Sequence, residues 1–275
     1  MHIKRAGFTI VIALSMVIAT MVPAQALGRR ALWVWDGPVD GVITFAVDHG
    51  ITDLYLHSPP GFSGSPLYAP FIESAHAVGI QVFAMAGDPL WASDRAPWSE
   101  WVDEVVGFNA FDGLVFDVEP YLNSDWNTKR RNRLIQSYLA GLDEAARHAG
   151  PLQVHTAVPF WWDDPAYRVK RTALVELVLE RSDGIVVMAY RDSAAGPDGI
   201  LSLSQNEADL AASMDKLFAI GVETAPVGLD KVSFAEEGTA EMEIELAEVE
   251  AAYSAVPQYS GIAIHHYASY ASMKN

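Results

Sequence analysis

Residues 111–121 read Phe-Asp-Gly-Leu-Val-Phe-Asp-Val-Glu-Pro-Tyr (FDGLVFDVEPY), an apolar run with two carboxylates two positions apart. Valine, leucine and phenylalanine after an Asp-Gly pair suit a β-strand, and the proline ends it. Side chains alternate between faces along a strand. Leu114, Phe116 and Val118 therefore share one face, and Val115, Asp117 and Glu119 share the other.

Similar runs lie on both sides of this one. Strands are predicted at 31–35 (ALWVW), 53–58 (DLYLHS), 80–86 (IQVFAMA), 113–119, 152–158 (LQVHTAV), 184–190 (GIVVMAY), 223–228 (ETAPVG) and 261–267 (GIAIHHY). Stretches with apolar residues three and four apart alternate with them, among them 38–50, 69–79, 96–108, 127–150, 171–182, 206–221 and 239–256. The first two end at Gly50 and Gly79, a common helix stop. Eight such units without a Pro/Ser-rich linker predict an α/β protein, one single-domain (β/α)8 TIM barrel over 27–275; such barrels take about 250 residues. A doubly wound open sheet is the competing architecture, but DGPVDG after the first strand is not the GxGxxG turn of a nucleotide site. Only ASYASMKN follows Tyr267, so the last helix is expected to be short.

The first 26 residues differ from the rest. Lys4 and Arg5 precede an apolar run from Phe8 to Val22, and Ala24-Gln25-Ala26 offers a cleavage site. This predicts a signal peptide at 1–26 and export to the cell envelope or beyond. A single-pass anchor is the competing reading; the run falls short of the roughly 18 residues that a membrane helix uses. There is no cysteine, hence no disulfide, thiolate metal site or thiol nucleophile. The 275 residues carry a formal charge of −17. Losing Lys4 and Arg5 with the leader makes it two units more negative. That field repels nucleic acid and other polyanions and favours a neutral or cationic partner.

Barrel enzymes build their sites at the C-terminal ends of the strands. Those ends here carry Trp35-Asp36, His57-Ser58, Gly87-Asp88, Asp117-x-Glu119, Tyr190-Arg191-Asp192 and His265-His266-Tyr267. The fifth strand runs into Phe160-Trp161-Trp162-Asp163-Asp164, and Glu223 opens the predicted seventh strand. Asp117 and Glu119 on one inward face stand about 7 Å apart at their Cα atoms. Like charges at that range in a partly dry mouth raise at least one pKa, as a general acid requires. The competing reading is a structural pair neutralised by Arg191, Lys231 or a histidine. Adjacent strand residues point to opposite faces, so at most one of His265 and His266 enters the barrel. His155 is read as scaffold. Trp98 and Trp101, three apart on a helix, are read as core; Trp35, Trp91, Trp161 and Trp162 follow strands and are expected at the mouth. Gly61–Pro66 is a loop that can border the cleft, and Lys129–Arg133 (KRRNR) is read as a solvated helix start. HxH, HExxH, G-x-S-x-G and P-loop patterns are all missing, so neither a cofactor nor a metal is expected.

Asp112, Gly113, Asp117 and Glu119 match in order and spacing the DGxDxDxE strand of the chitinase-like glycoside hydrolases of family 18, which this chain resembles. Met188-Ala189-Tyr190-Arg191 is similar to that family's Met-x-Tyr-Asp at the sixth strand. The resemblance implies that Glu119 donates a proton to the glycosidic oxygen. It also implies that Asp117 orients a substrate acetamido group and that Tyr190 hydrogen-bonds it, in substrate-assisted retention. Three positions depart from the pattern. Val115 stands where the family has its first acid, a partner sharing a proton with the second. Arg191 replaces the aspartate, and His-His-Tyr replaces a tryptophan that floors the sugar subsite.

The expectation is an exported glycosidase acting on a neutral or amino-sugar glycan. Glu119, Asp117 and Tyr190 form its catalytic set; Trp35, Asp36, His57, Trp161, Arg191, Asp192, Glu223 and His266 line the substrate site. Asp36 or Glu223 across the mouth from Glu119 would open a two-carboxylate mechanism instead, although Glu223 can equally be a structural carboxylate paired with Arg or His. A non-catalytic carbohydrate-binding barrel and a metal-dependent hydrolase are the competing functions.

Overall fold

Eight parallel strands close on themselves in sequence order. The computed structural model describes residues 28–274, so the expected leader lies outside the described residues. The strands are β1 (Arg30–Val34), β2 (Asp53–His57), β3 (Gln81–Ala86), β4 (Gly113–Phe116), β5 (Gln153–Pro159), β6 (Gly184–Met188), β7 (Leu217–Glu223) and β8 (Tyr259–His265). The helices are α1 (Val42–Asp48), α2 (Tyr68–Ala77), α3 (Ala96–Phe108), α4 (Arg131–His148), α5 (Leu174–Leu179), α6 (Ile200–Ser213), α7 (Thr239–Tyr253) and the single turn α8 (Tyr267–Tyr270). The single-domain (β/α)8 barrel is therefore the observed fold.

Two apolar layers follow from strand alternation. Leu32, Leu54, Val82, Leu114, Phe116, Val154, Val187 and Ile262 face the helices. Trp33, Tyr55, Phe83, Met85, Val115, Ala157, Val186, Met188 and Ala263 fill the barrel itself. Its interior is thus a packed core, as in barrels generally. Trp98 and Trp101 are core residues on α3, and Gly141 of α4 lets Trp98 approach; a Cβ there would lie 2.4 Å from the indole. Asp112, which opens the fourth-strand motif, is scaffold: its Oδ2 accepts from Val82 N at 2.7 Å and lies 2.8 Å from His76 Nε2.

The seventh strand is displaced from its predicted place. The apolar spacing of 206–221 puts Leu217–Gly221 at the end of a helix, but α6 stops at Ser213 and the chain turns through Asp215 (φ 56°) into β7. A fully buried parallel strand shows no polar alternation, so a short apolar run reads equally well as the tail of a buried helix. Glu223 consequently ends β7 rather than beginning it. The acid moves from the base of the barrel to its mouth.

Candidate active site

Asp117 and Glu119 lie just beyond β4, on the interior face predicted for them. Gly87, after β3, makes their approach possible: a Cβ at Gly87 would stand 2.0 Å from the Asp117 carbonyl oxygen. Asp117 N donates to Ala86 O at 2.9 Å, extending the strand pairing to the acid itself. Below Asp117 the interior is apolar, with Val115 and Trp33 fully buried. Burial pushes the Asp117 carboxyl up to about 6, opposed by the nearby His265 and the Trp33 indole. Trp33 Nε1 and Asp117 Oδ1 each lack a close hydrogen-bond partner, so the indole acts on the carboxyl as a dipole rather than through a full bond. Glu119 is half-buried, and its carboxyl rises to about 8 through burial and then through Asp117. The Tyr121 hydroxyl donates to Glu119 Oε1.

Among the described residues no lysine or arginine side chain acts on this pair. Arg191 Nη2 and Lys231 Nζ both bind Asp198, at 2.8 and 2.6 Å. Arg191 also donates to Tyr190 O at 2.7 Å and lies over the Phe160 ring. A dry site favours the protonated form of a carboxyl. Burial and Asp117 both favour the protonated form of Glu119.

A second group of side chains converges beside the acids. Glu223 is buried; its Oε1 accepts from Thr224 N at 2.8 Å and Ala225 N at 2.7 Å, and its Oε2 lies 2.8 Å from His265 Nδ1. His265 Nε2 accepts from Trp35 Nε1 at 2.8 Å. Tyr190 stacks on the same imidazole at 6.0 Å, and Trp33 meets it edge-on at 5.5 Å. Burial, Asp117, Glu223 and Glu119 all push the Tyr190 phenol well above its ordinary value, leaving a neutral hydroxyl.

The other expected site residues divide. Trp35 and His57 are half-buried at the mouth, with His57 Nδ1 3.0 Å from Trp35 O. Asp36 is exposed. Asp192 is half-buried, its backbone N–H donating to Lys231 O at 3.1 Å. His266 turns away and caps α8 with Ser269, so His265 is the histidine that enters the barrel. Trp161 is half-exposed in an aromatic wall with Tyr121, Trp126 and Tyr167 at 5.3, 6.1 and 4.6 Å. Trp91 and Trp162 are buried instead of lining the mouth: Trp91 packs on Trp98 and Trp101, and Trp162 on Tyr138. The Gly61–Pro66 loop is pinned to α3, where Glu104 accepts from Gly61 N and Ser63 N at 2.8 and 3.0 Å. Among the described residues no three His, Asp or Glu side chains gather as a metal ligand set. Sequence reasoning missed Tyr121 and Trp33 as site residues. Tyr121 follows Glu119 by two positions, a signal already present in Glu-Pro-Tyr; Trp33 shares the interior face with Trp35.

No protein-family model matches the sequence, and no curated protein matches it. Solved structures do match. A chitinase from Rhizomucor miehei aligns with TM-score 0.57 at 16% identity, over 87% of this chain and 95% of the other. A class V chitinase from Pseudomonas fluorescens Pf-5 gives 0.55 at 13% identity, over 88% and 97%. A GH18 chitinase from Cycas revoluta, solved with (GlcNAc)3, gives 0.52 at 14% identity, over 86% and 94%. At these identities the likeness is one of fold. The chain has the (β/α)8 barrel that these chitinases share, so the distant resemblance read from DGLVFDVE and MAYR holds at the level of architecture.

Proposed function

We propose that this chain is an exported glycoside hydrolase with Glu119 as its general acid/base, acting on a neutral or amino-sugar glycan. One observation carries the reading: a pair of carboxyls two positions apart at the barrel mouth, met by no lysine or arginine among the described residues, in which burial and Asp117 raise the Glu119 carboxyl to about 8. Barrel strands direct chemistry to this end of the molecule. On this reading Glu119 protonates a leaving oxygen and then, as carboxylate, activates water. Asp117 lies deeper on the same face and supports a charge developing above it. Tyr190 supplies a neutral hydroxyl beside both.

Glu223 is a poor candidate for a second catalytic carboxylate, because both of its oxygens are engaged by backbone N–H groups and His265. Asp36 is exposed and lies outside the dry part of the mouth. The arrangement therefore favours a mechanism in which the attacking group comes from the substrate, as in the resembled family, over a protein nucleophile across the cleft.

The test uses wild type beside Glu119→Gln on neutral and amino-sugar oligosaccharides. Loss of a general acid costs about 10²–10⁴-fold in turnover, with folding and binding retained. An unchanged rate would sink the assignment. Equal binding by both proteins without turnover by either identifies a non-catalytic glycan-binding barrel, which the replacement of the first motif acid by Val115 favours.

A further inference from the structure

The hydrogen bonds around His265 have only one consistent protonation. A carboxylate accepts, so His265 Nδ1 carries the proton and donates it to Glu223 Oε2. An indole N–H only donates, so His265 Nε2 is the bare nitrogen that receives Trp35 Nε1. These two contacts assign Nδ1 as the donor and Nε2 as the acceptor of the imidazole. Glu223 cannot swing away, because the backbone N–H groups of Thr224 and Ala225 hold its other oxygen at 2.8 and 2.7 Å.

Trp35 is gripped on several sides. It lies between the ends of β2 and β8, with its indole N–H held by His265. The His57 ring packs against it at 5.4 Å, and His57 Nδ1 binds the Trp35 carbonyl at 3.0 Å. Beneath His265 lies Trp33, and Tyr190 stacks beside it. Trp35 nevertheless stays half-exposed at the mouth, next to the interior aromatics. A flat ring held immobile before ligand arrives presents a stacking surface without an ordering cost.

We propose that Glu223 and His265 form a positioning relay that fixes the Trp35 indole as the sugar-stacking surface of this site. This rests on the glycan reading above. The relay spans three strands, β7, β8 and β1, and works by tautomer. A histidine whose Nε2 carried the proton would oppose the Trp35 N–H with a second donor, and the ring would lose its anchor. Glu223 determines which nitrogen is bare. The ligand is a neutral pyranose, whose C–H face stacks on an aromatic ring and which suits a strongly acidic protein.

Glu223→Gln gives a specific readout. Its amide oxygen would keep the two backbone donors, leaving the amide N–H to face His265 Nδ1. The histidine would then accept at Nδ1, carry its proton at Nε2 and repel the Trp35 N–H. Nitrogen-15 NMR of the imidazole at mildly alkaline pH reads this directly, with Nδ1–H expected in wild type and Nε2–H in Glu223→Gln. Affinities are measured for tetramers of N-acetylglucosamine and of glucose in a Glu119→Gln background. Loss of one anchoring hydrogen bond is expected to weaken the better tetramer about tenfold. In the active protein KM should rise more than kcat falls. Trp35→Phe, which keeps a ring and removes the N–H at a half-exposed position, should weaken binding with little change in unfolding temperature. Adding Glu223→Gln to Trp35→Phe should then cost little more, since both break the same anchor.

Additive losses, wild-type affinity in Glu223→Gln, or an Nε2–H histidine in wild type would each overturn the relay. A tetramer bound with full affinity after Trp35→Phe and Trp35→Ala would overturn the stacking role while leaving the glycosidase reading intact. Absence of both binding and hydrolysis across the tetramers would overturn the glycan reading and the stacking role together, and NMR would still decide the relay.

Discussion

Asp117 and Glu119 are two residues apart, yet their burial differs and their titrations differ with it. Asp117 is 9% exposed, and its carboxyl rises from the model-peptide value of 3.8 to about 6. A group that holds its proton more tightly when folded adds stability below its unfolded pKa, and that stability is lost as pH rises towards the folded value. Between these two values the ionisation of Asp117 costs the folded state about 3 kcal/mol. Asp117→Asn should therefore unfold at a higher temperature than wild type at neutral pH, while matching it near pH 4; equal neutral stabilities would contradict the burial argument. Glu119 works as an acid only while protonated, so kcat/KM should fall above about pH 8. Removing the Asp117 charge removes one of the two causes that raise Glu119, so in Asp117→Asn this alkaline limb should move to lower pH. A pH–rate profile of each protein checks both statements.

At the scale of elements, the site depends on close approaches that only small residues permit. Gly87 admits the Asp117 backbone, and Gly141 admits the Trp98 indole between α3 and α4. Gly141→Ala would place a methyl group 2.4 Å from a fully buried indole. Overpacking of this kind costs about 1–3 kcal/mol, and thermal unfolding should show that loss without a change in the pH profile. The strands were legible where Gly, Pro or Asp bounded a β-branched run, as around Gly113–Phe116. β7 was not, because Leu217–Gly221 is apolar on both faces and its period carries no information. That one displacement hid the part played by Glu223.

Across the whole molecule, 35 acidic and 18 basic residues leave a formal charge of −17. Self-repulsion of that size works against the compact state and is screened over about 10 Å at 0.1 M salt. Moderate sodium chloride should accordingly raise the unfolding temperature, and a temperature independent of salt would show that local ion pairs outweigh the net field. The aromatic residues illustrate a limit of linear reading at this scale. Trp91, Trp161 and Trp162 all follow strands, but only Trp161 stays at the mouth; the other two are covered by helices α3 and α4.

The sequence by itself determined the barrel rhythm, the inward face of Val115, Asp117 and Glu119, and the end of the barrel at which they stand. Those properties follow from strand alternation and chain direction, which are local. Only the tertiary structure decided that His265 enters the site while His266 caps a helix, that Arg191 is held by Asp198, and that Glu223 reaches Trp35 through an imidazole. Trp35 and His265 are 230 positions apart in the chain. They meet because β8 pairs with β1 when the barrel closes, and no spacing along the sequence encodes which side chains that closure brings within hydrogen-bond reach.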